Sequence, residues 1–408
     1  MWADHQLRCS GGSAVTRSKR VAIVGAGHIA ETHARTIGEL GSRADLVAVA
    51  ELNSAALEDF AGRHEIPGRY HDLEALIVAE APDLVVICTP PGLHFEQIRT
   101  CLAAGAWVLC EKPVAGSLAE LDAIEAAERM SGARCSSVFQ WRFGEQVAHL
   151  KGLISSSAMG RPLVVSSLMN WYRDAAYYRV PWRGRWASEL GGTTVGAGIH
   201  FIDLVLWLLG DWAEVAAMTA TLDREIEIED VSVAAVRLAR GTLASFVNSM
   251  LSPRQETSLR LDFQMGTVEL DCLYSYVDDD WRYTALASAG GDAQAAAWKT
   301  ATTSSVSREA MQLTGVLDAM DGLSEEIVSI AEIRPTFDLL SSIYKAAATG
   351  QTVRRGSIVP GDPYYQHFAA SMPEAALSSA AAGPPMTVGG EQHLATSDQL
   401  FKTGDDNA

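Results

Sequence analysis

A short apolar strand that runs straight into a glycine turn and a helix constrains this 408-residue chain more than any other stretch. Val21 to Val24 leads into Gly25-Ala26-Gly27-His28-Ile29-Ala30, and a helix is predicted from Ile29 to Leu40. Gly25 permits the tight turn, Gly27 lets a pyrophosphate approach the backbone, and Ala30 allows close packing of helix on sheet. His28 and Ile29 open the helix, where N–H groups without intrahelical partners favour an anion. Glu51 ends the next predicted strand, at the spacing of about 20 residues where a carboxylate accepts hydrogen bonds from an adenosine ribose. That carboxylate repels a 2′-phosphate, and Leu52 and Asn53 bring no compensating charge. NAD is therefore expected in preference to NADP, with Arg35 or Arg43 as the residues that would make NADP possible.

The same rhythm continues. Strands are predicted at Asp45 to Ala50, Leu84 to Cys88, Trp107 to Cys110 and Cys135 to Phe139, separated by helices at Ser54 to His64, Asp72 to Glu80, His94 to Ala104 and Ser117 to Met130. Short strands apolar on both faces, alternating with helices, form a doubly wound parallel sheet of the Rossmann type. Past Arg142 strand-like segments follow one another instead: Arg161 to Tyr172, Glu214 to Leu222, Asp230 to Ala239, Thr242 to Leu251, Ser258 to Gln264 and Thr267 to Leu273. Gly241 and Gly266 fall where two hairpins call for a residue tolerant of positive φ. The expected fold class is α/β, with a C-terminal α+β domain carrying a mostly antiparallel open sheet. One helix from about Gly192 to Leu209 precedes most of that sheet, and a long helical region, Arg308 to Thr349, follows it. The expected division is a flexible leader (1–18), a dinucleotide-binding domain (19–142), a substrate and oligomerisation domain (143–371) and a disordered tail (372–408).

Charge and cysteine usage narrow the partners. A net charge of −18 repels phosphate backbones and anionic lipid, so nucleic acid and membranes are not expected partners. The apolar run Phe201 to Leu209 is broken by Asp203 and too short to span a bilayer. Six scattered cysteines without a C-x-x-C pair suit reduced thiols in a cytoplasmic protein, and no metal site is expected.

Two further stretches bear chemistry. Glu111-Lys112-Pro113 follows the apolar run Ala106 to Cys110, and a lysine at the end of a buried strand needs an anionic partner, a lowered pKa or a chemical task. Proline beside it stiffens the turn and can be cis. Cys88-Thr89-Pro90-Pro91 and His94 reach the same edge of the sheet, where open parallel sheets bind ligands. In the second domain, Gly191-Gly192-Thr193-Thr194-Val195-Gly196-Ala197-Gly198-Ile199-His200 places His200 near the start of an apolar helix, with Asp203 one turn on to orient its imidazole. Taken alone, a histidine there serves structure more often than catalysis.

Taken together, Val21 to His33, Val85 to His94, Ala104 to Pro113, Gln140-Trp141-Arg142-Phe143, Gly191 to Gly210, and Ile343 to Val353 with its Ala348-Thr349-Gly350 resemble the family of glucose-fructose oxidoreductase, inositol dehydrogenase and rhizopine-catabolism proteins (Gfo/Idh/MocA). The resemblance covers about residues 19 to 370. It implies hydride exchange between a nicotinamide and a hydroxyl of a sugar or cyclitol, at a site between the two domains. Lys112 then matches the family's active-site lysine and His200 its acid/base histidine. Gly25, Gly27, His28, Ile29, Glu51, Cys88, Thr89, Pro90, His94, Glu111, Lys112 and Gln140 become the cofactor-binding set. Arg142, Tyr172, Trp182, Arg183 and His200 become the substrate set. An open sheet in the second domain implies a homodimer or homotetramer.

One position departs from the pattern. The family motif D-x-G-x-H carries an aspartate four residues before the histidine, and this chain has Gly196 there, which implies a divergent subgroup. An aromatic and arginine cluster, Trp171-Tyr172-Arg173-Asp174, Tyr177-Tyr178 and Trp182-Arg183-Gly184-Arg185-Trp186, leads into the glycine run. Aromatic faces stack on sugars and arginine forks bind carboxylate or phosphate, so Arg183 or Arg185 would favour an anionic or densely hydroxylated substrate. Packing against the sheet or against a partner subunit would use the same residues. Two other functions fit the sequence: a silent sensor binding dinucleotide and sugar, and a glycoside-cleaving enzyme with an internal NAD redox cycle.

Overall fold

The computed structural model describes residues 17–370, so nearly all of the expected leader and the whole expected tail lie outside the described residues. The N-terminal part runs β1 (Lys19–Val24), α1 (His28–Glu39), β2 (Ala44–Ala50), α2 (Ser54–Arg63), β3 (Gly68–Tyr70), α3 (Leu73–Glu80), β4 (Leu84–Ile87), α4 (His94–Ala103), β5 (Trp107–Cys110), α5 (Leu118–Ser131) and β6 (Cys135–Ser137). Every pairing in this six-stranded sheet is parallel, in the order β3-β2-β1-β4-β5-β6. Strand order reverses between β1 and β4. The crevice beyond the carboxyl ends of those two strands is where such sheets take ligands. Val21, Ala22, Ile23 and all of β4 are buried, as strands covered by helices on both faces must be.

The second part runs α6 (Glu145–Ser155), β7 (Pro162–Tyr172), α7 (Trp186–Glu189), α8 (Ile199–Leu209), β8 (Trp212–Ala220), β9 (Val231–Leu238), β10 (Leu243–Ser249), β11 (Leu251–Phe263), β12 (Gly266–Asp271), β13 (Trp281–Ala285), α9 (Gly291–Trp298), α10 (Arg308–Met320), α11 (Ile330–Thr349) and β14 (Val353–Arg354). Its eight strands lie in the order β13-β12-β11-β7-β10-β9-β8-β14, antiparallel except where β10 runs parallel to β7. In β9, Ser232, Ala234, Val236 and Leu238 are buried while Val233, Ala235 and Arg237 are exposed, the alternation of a sheet covered on one face. Helices α8 and α11 pack on each other, and α11 lies on β8. The outer face leaves Val164, Met218, Val233 and Leu243 exposed.

Several details differ from the sequence expectation. Helices α6, α7 and α9 and strands β3, β13 and β14 were not anticipated. The helical region from 308 to 349 breaks at 321–329 into two helices with different jobs. Helix α10 packs back on α1, and its Leu313, Val316 and Leu317 join the core of Val21, Ile23 and Ile37, so the chain re-enters the first domain after leaving the second. Gly241 does take a positive φ of 90°, but Gly266 does not. Gly266 is glycine because a Cβ there would stand 2.2 Å from the Thr284 carbonyl oxygen and 2.6 Å from the Trp298 ring.

Candidate active site

The glycine turn is built for close approach. Gly25 has φ +91°, and a Cβ on it would stand 2.9 Å from the Cys88 carbonyl oxygen, so no other residue fits between β1 and β4. Gly27 faces open space, with nothing within 4 Å of where its Cβ would be. Asn53, Asp72 and Ser117 cap α2, α3 and α5 with their side chains, but α1 begins at Gly27 with no side-chain cap. The amides around His28 and Ile29 thus stand without a side-chain acceptor at the positive end of a helix dipole. Glu51 Oε2 accepts from the Ala26 N–H at 3.0 Å and Oε1 from the Asn53 N–H at 2.9 Å. Those two bonds hold its negative charge beside the glycine turn. Arg43 is occupied by Asp318 at 2.8 Å and Asp321 at 3.4 Å, and the Arg35 Nε reaches only the Glu31 carbonyl at 3.4 Å. The residues present fit a dinucleotide.

Several expected cofactor ligands serve as braces instead. His94 is buried with both ring nitrogens on carbonyls, Nδ1 at 2.8 Å from Pro113 O and Nε2 at 2.8 Å from Thr89 O. The neutral ring donates to one of these carbonyls and the imidazolium to both, so His94 braces the loop after β4 and the turn after β5 and turns neither nitrogen to a ligand. Burial lowers its pKa against the pull of those two carbonyls. Glu111 turns inward: Oε1 meets His33 Nε2 on α1 at 2.9 Å, and Oε2 accepts from the Lys112 N–H at 3.3 Å. Burial alone would raise the Glu111 pKa, but the hydrogen bond and charge of His33, with Lys112, hold it below the ordinary value. The Cys88 thiol is buried and its pKa pushed well up by that burial, so its side chain is not turned to the crevice as a thiolate. Thr89 Oγ1 donates to Gln97 Oε1 at 2.6 Å. Pro90 precedes the loop that leans on the second domain, where a Cβ on Gly92 would meet the Ala187 carbonyl oxygen at 2.2 Å.

Lys112 crosses the crevice. Its peptide with Pro113 is cis, and its Nζ donates to the Gly196 carbonyl oxygen at 2.6 Å. Burial lowers the Lys112 pKa, Glu111 pulls it back, and nearby Arg183 lowers it further. His200 lies buried in the first turn of α8, edge-on to Tyr274 at 5.8 Å and to Trp141 at 6.2 Å between ring centroids. Its pKa sits well below the ordinary value, first through burial and then through the charge of Lys112. His200 Nδ1 is sealed from solvent with no hydrogen-bond partner, and so is Gln140 Oε1. A buried polar atom without a partner is costly in a folded protein unless a ligand or water meets it.

The glycine run before His200 is dictated by packing. A Cβ on Gly192 would meet the Glu229 carbonyl oxygen at 1.8 Å, and one on Gly198 would meet Asn248 Oδ1 at 2.5 Å. Gly196 is different, with nothing within 4 Å of its Cβ position. Glu229, which sequence reasoning missed, organises the run: its carboxylate accepts from the N–H groups of Gly192 at 2.9 Å and Thr194 at 3.0 Å and from the Tyr344 hydroxyl at 3.0 Å. The available signal was Glu229-Asp230, two adjacent acids entering a buried strand. Tyr274, which touches His200 from beyond β12, left no comparable trace.

The substrate set divides. Arg142 is a correction: its guanidinium forks onto Asp203, Nε to Oδ2 at 2.7 Å and Nη2 to Oδ1 at 2.6 Å, in a pair almost wholly buried. Asp203 is thereby spoken for, with Thr336 Oγ1 also donating to it at 3.1 Å, so it does not orient His200. Side chains alternate along β7, so Trp171 faces Tyr274, at 5.1 Å, while Tyr172 points to the outer face, where Arg224 lies 5.4 Å from its ring. Arg183 sits over Trp182 at 3.9 Å and Tyr177 at 4.3 Å and pairs with Glu189 at 2.8 Å. It stays near enough to act on Lys112, whereas Arg185 is exposed.

Comparison with known proteins identifies both parts of the chain. Residues 19–139 match the oxidoreductase family with an NAD-binding Rossmann fold, and residues 147–269 match the GFO/IDH/MocA C-terminal domain. Among curated relatives, D-glucoside 3-dehydrogenase of Escherichia coli is 29% identical over 48% of this chain and 56% of its own length. Glucose-6-phosphate 3-dehydrogenase of Bacillus subtilis is 32% identical over 47% of this chain and 53% of its own. The chain thus spans about half the length of these two relatives. Among solved structures, the WlbA dehydrogenase of Bordetella pertussis, in complex with NADH and UDP-GlcNAcA, superposes with a TM-score of 0.72 at 29% identity, covering 83% of this chain and 99% of that one.

Proposed function

The chain belongs to the Gfo/Idh/MocA oxidoreductase family, and from that premise we propose that it exchanges hydride between NAD and a CH–OH group of a sugar, cyclitol or related polyhydroxylated compound. The observation that carries the reading is the meeting of Lys112, from the end of β5, with the segment that bears His200, through the 2.6 Å bond from Nζ to Gly196 O. Gly25, Gly27 and the first turn of α1 would hold the pyrophosphate, and Glu51 the adenosine ribose. A bound nicotinamide supplies the hydride acceptor or donor. The carboxylate of Glu51 and the occupied Arg43 support NAD over NADP.

The chain's own residues handle the proton. A hydroxyl losing hydride from its carbon must also lose its O–H proton, and His200, neutral at ordinary pH because of burial and Lys112, is free to accept it. Lys112, as the ammonium, hydrogen-bonds the same oxygen and stabilises its developing negative charge. In the reverse direction the imidazolium returns the proton. The Gly196 carbonyl takes the place of the missing carboxylate as the acceptor that aims Lys112, but supplies a dipole instead of a full charge. Lys112 is left with a lower pKa than a neighbouring aspartate would give it.

Purified protein assayed with NAD or NADP against sugars, inositols and sugar acids, by nicotinamide absorbance, tests the reading. Turnover that survives both Lys112→Ala and His200→Ala defeats it. A protein that binds both ligands but never reduces its cofactor is a sensor or an internal-cycle enzyme. We further infer a cytoplasmic homodimer or homotetramer joined through the outer sheet face bearing Val164, Val233 and Leu243. A monomer by light scattering at micromolar concentration would contradict that pairing.

A further inference from the structure

Arg173 leaves β7 beside the crevice with no described acid to neutralise it. Its N–H donates to the Met250 carbonyl at 2.9 Å, which fixes the backbone, and its guanidinium carbon lies 5.0 Å from the Trp171 ring centroid and 5.1 Å from that of Tyr177. Its Nε is sealed from solvent and has no hydrogen-bond partner. The two arginines that pack against the same residues are paired: Arg183 with Glu189, and Arg224 with Asp223 while its Nε donates to the Arg173 carbonyl at 2.8 Å. Among the described residues no carboxylate forms an ion pair with Arg173. A half-buried guanidinium held between two aromatic rings, hydrogen-bonded to the Tyr177 hydroxyl but with its Nε unmet and no carboxylate to balance its charge, is costly unless an anion arrives.

Its position ties it to the reacting groups. Trp171 touches Tyr274, Tyr274 touches His200, and on the other side Tyr177 lies under Arg183, whose charge acts on Lys112. These contacts form one wall from His200 to Lys112. Lys112, Arg173 and Arg183 put three cations on it against two carboxylates, Glu189, paired with Arg183, and Glu111, which is bonded to His33 behind Lys112. In a chain of net charge −18, this local reversal of sign focuses an anion where the overall field repels it. A neutral polyol would need the aromatic faces but not an unpaired guanidinium.

We propose that the substrate carries an anionic group, a carboxylate or a phosphate, and that Arg173 is the residue that binds it. This rests on the oxidoreductase reading of the crevice and names its substrate class. The test uses matched compounds, glucose with glucuronate and glucose 6-phosphate, and galactose with galacturonate, titrated by calorimetry into NADH-saturated protein and assayed for turnover with NAD. At least one charged member binds ten times more tightly than its neutral counterpart, more weakly as salt rises, and the uronate and phosphate arms show which anion fits. Arg173→Gln weakens that compound by about ten- to a hundredfold while leaving the neutral partner and NADH unchanged. Arg173→Lys, which keeps the charge and loses the fork, falls between and covers a Gln variant that fails to fold. Equal affinity for neutral and charged members, an equal loss for both in the variants, or binding of none of the panel overturns the proposal. Turnover of neutral polyols without charge preference counts against the anion alone. Charge-selective binding without turnover counts against the oxidoreductase reading alone.

Discussion

Replacing Gly196 with aspartate adds a full negative charge beside Lys112 at little steric cost. The Cβ position meets nothing within 4 Å and the backbone is not in the left-handed region, while the Gly196 carbonyl already stands 2.6 Å from Nζ. A carboxylate at about 5 Å interacts with the ammonium by about 0.8 kcal/mol in water and about 3.3 kcal/mol at an effective dielectric constant of about 20. At about 1.36 kcal/mol per unit, the Lys112 pKa rises by about 0.6 to 2.4 units. Lys112 acts as the ammonium, so activity is lost as pH rises through its pKa, which burial now holds low. The alkaline limb of kcat/KM against pH must therefore move upward by that amount in Gly196→Asp and stay in place in Gly196→Ala, which adds volume without charge. Saturating NAD and one substrate throughout keep the comparison clean. An alkaline limb that stays put or moves down in a variant with unchanged thermal midpoint would refute the pairing of Lys112 with residue 196.

Other perturbations follow from the same geometry. His200→Gln should lower kcat by about a hundred- to ten-thousandfold with NADH affinity retained by fluorescence titration. The acid limb of the wild-type profile should lie well below the ordinary histidine pKa of 6.5, because burial and Lys112 both disfavour the imidazolium. Gly198→Ala drives a methyl into Asn248 and should cost about 1–3 kcal/mol in denaturant unfolding; a loss under half of that would mean the loop yields freely. Arg142→Met leaves Asp203 buried without its cation and should cost about 3–5 kcal/mol, whereas a loss of substrate affinity at full stability would restore Arg142 to the substrate set. Glu51→Ala removes the charge that opposes a 2′-phosphate, so the ratio of NADP to NAD affinity should rise, and an unchanged ratio would mean that some other residue sets the preference.

Local patterns are legible in the sequence. Strand, glycine turn and helix from Val21 onward, the alternation of apolar strands with helices and the lysine at the end of β5 each depend on residues adjacent in the chain. Backbone sterics and hydrophobic periodicity act at that range. Partner choice was not legible, because it is settled between residues far apart. Arg142 and Asp203 are 61 positions apart and neutralise each other, which removed one expected substrate ligand and one expected orienting acid. His94 was spent on two carbonyls, and α10 returned to the first domain because its apolar side fits α1. Gly196 shows the division most clearly: the sequence established that no carboxylate stands there, while only the folded chain brought its carbonyl to Lys112. A missing side chain is a local fact, but the group that takes over its hydrogen bond depends on how two domains meet.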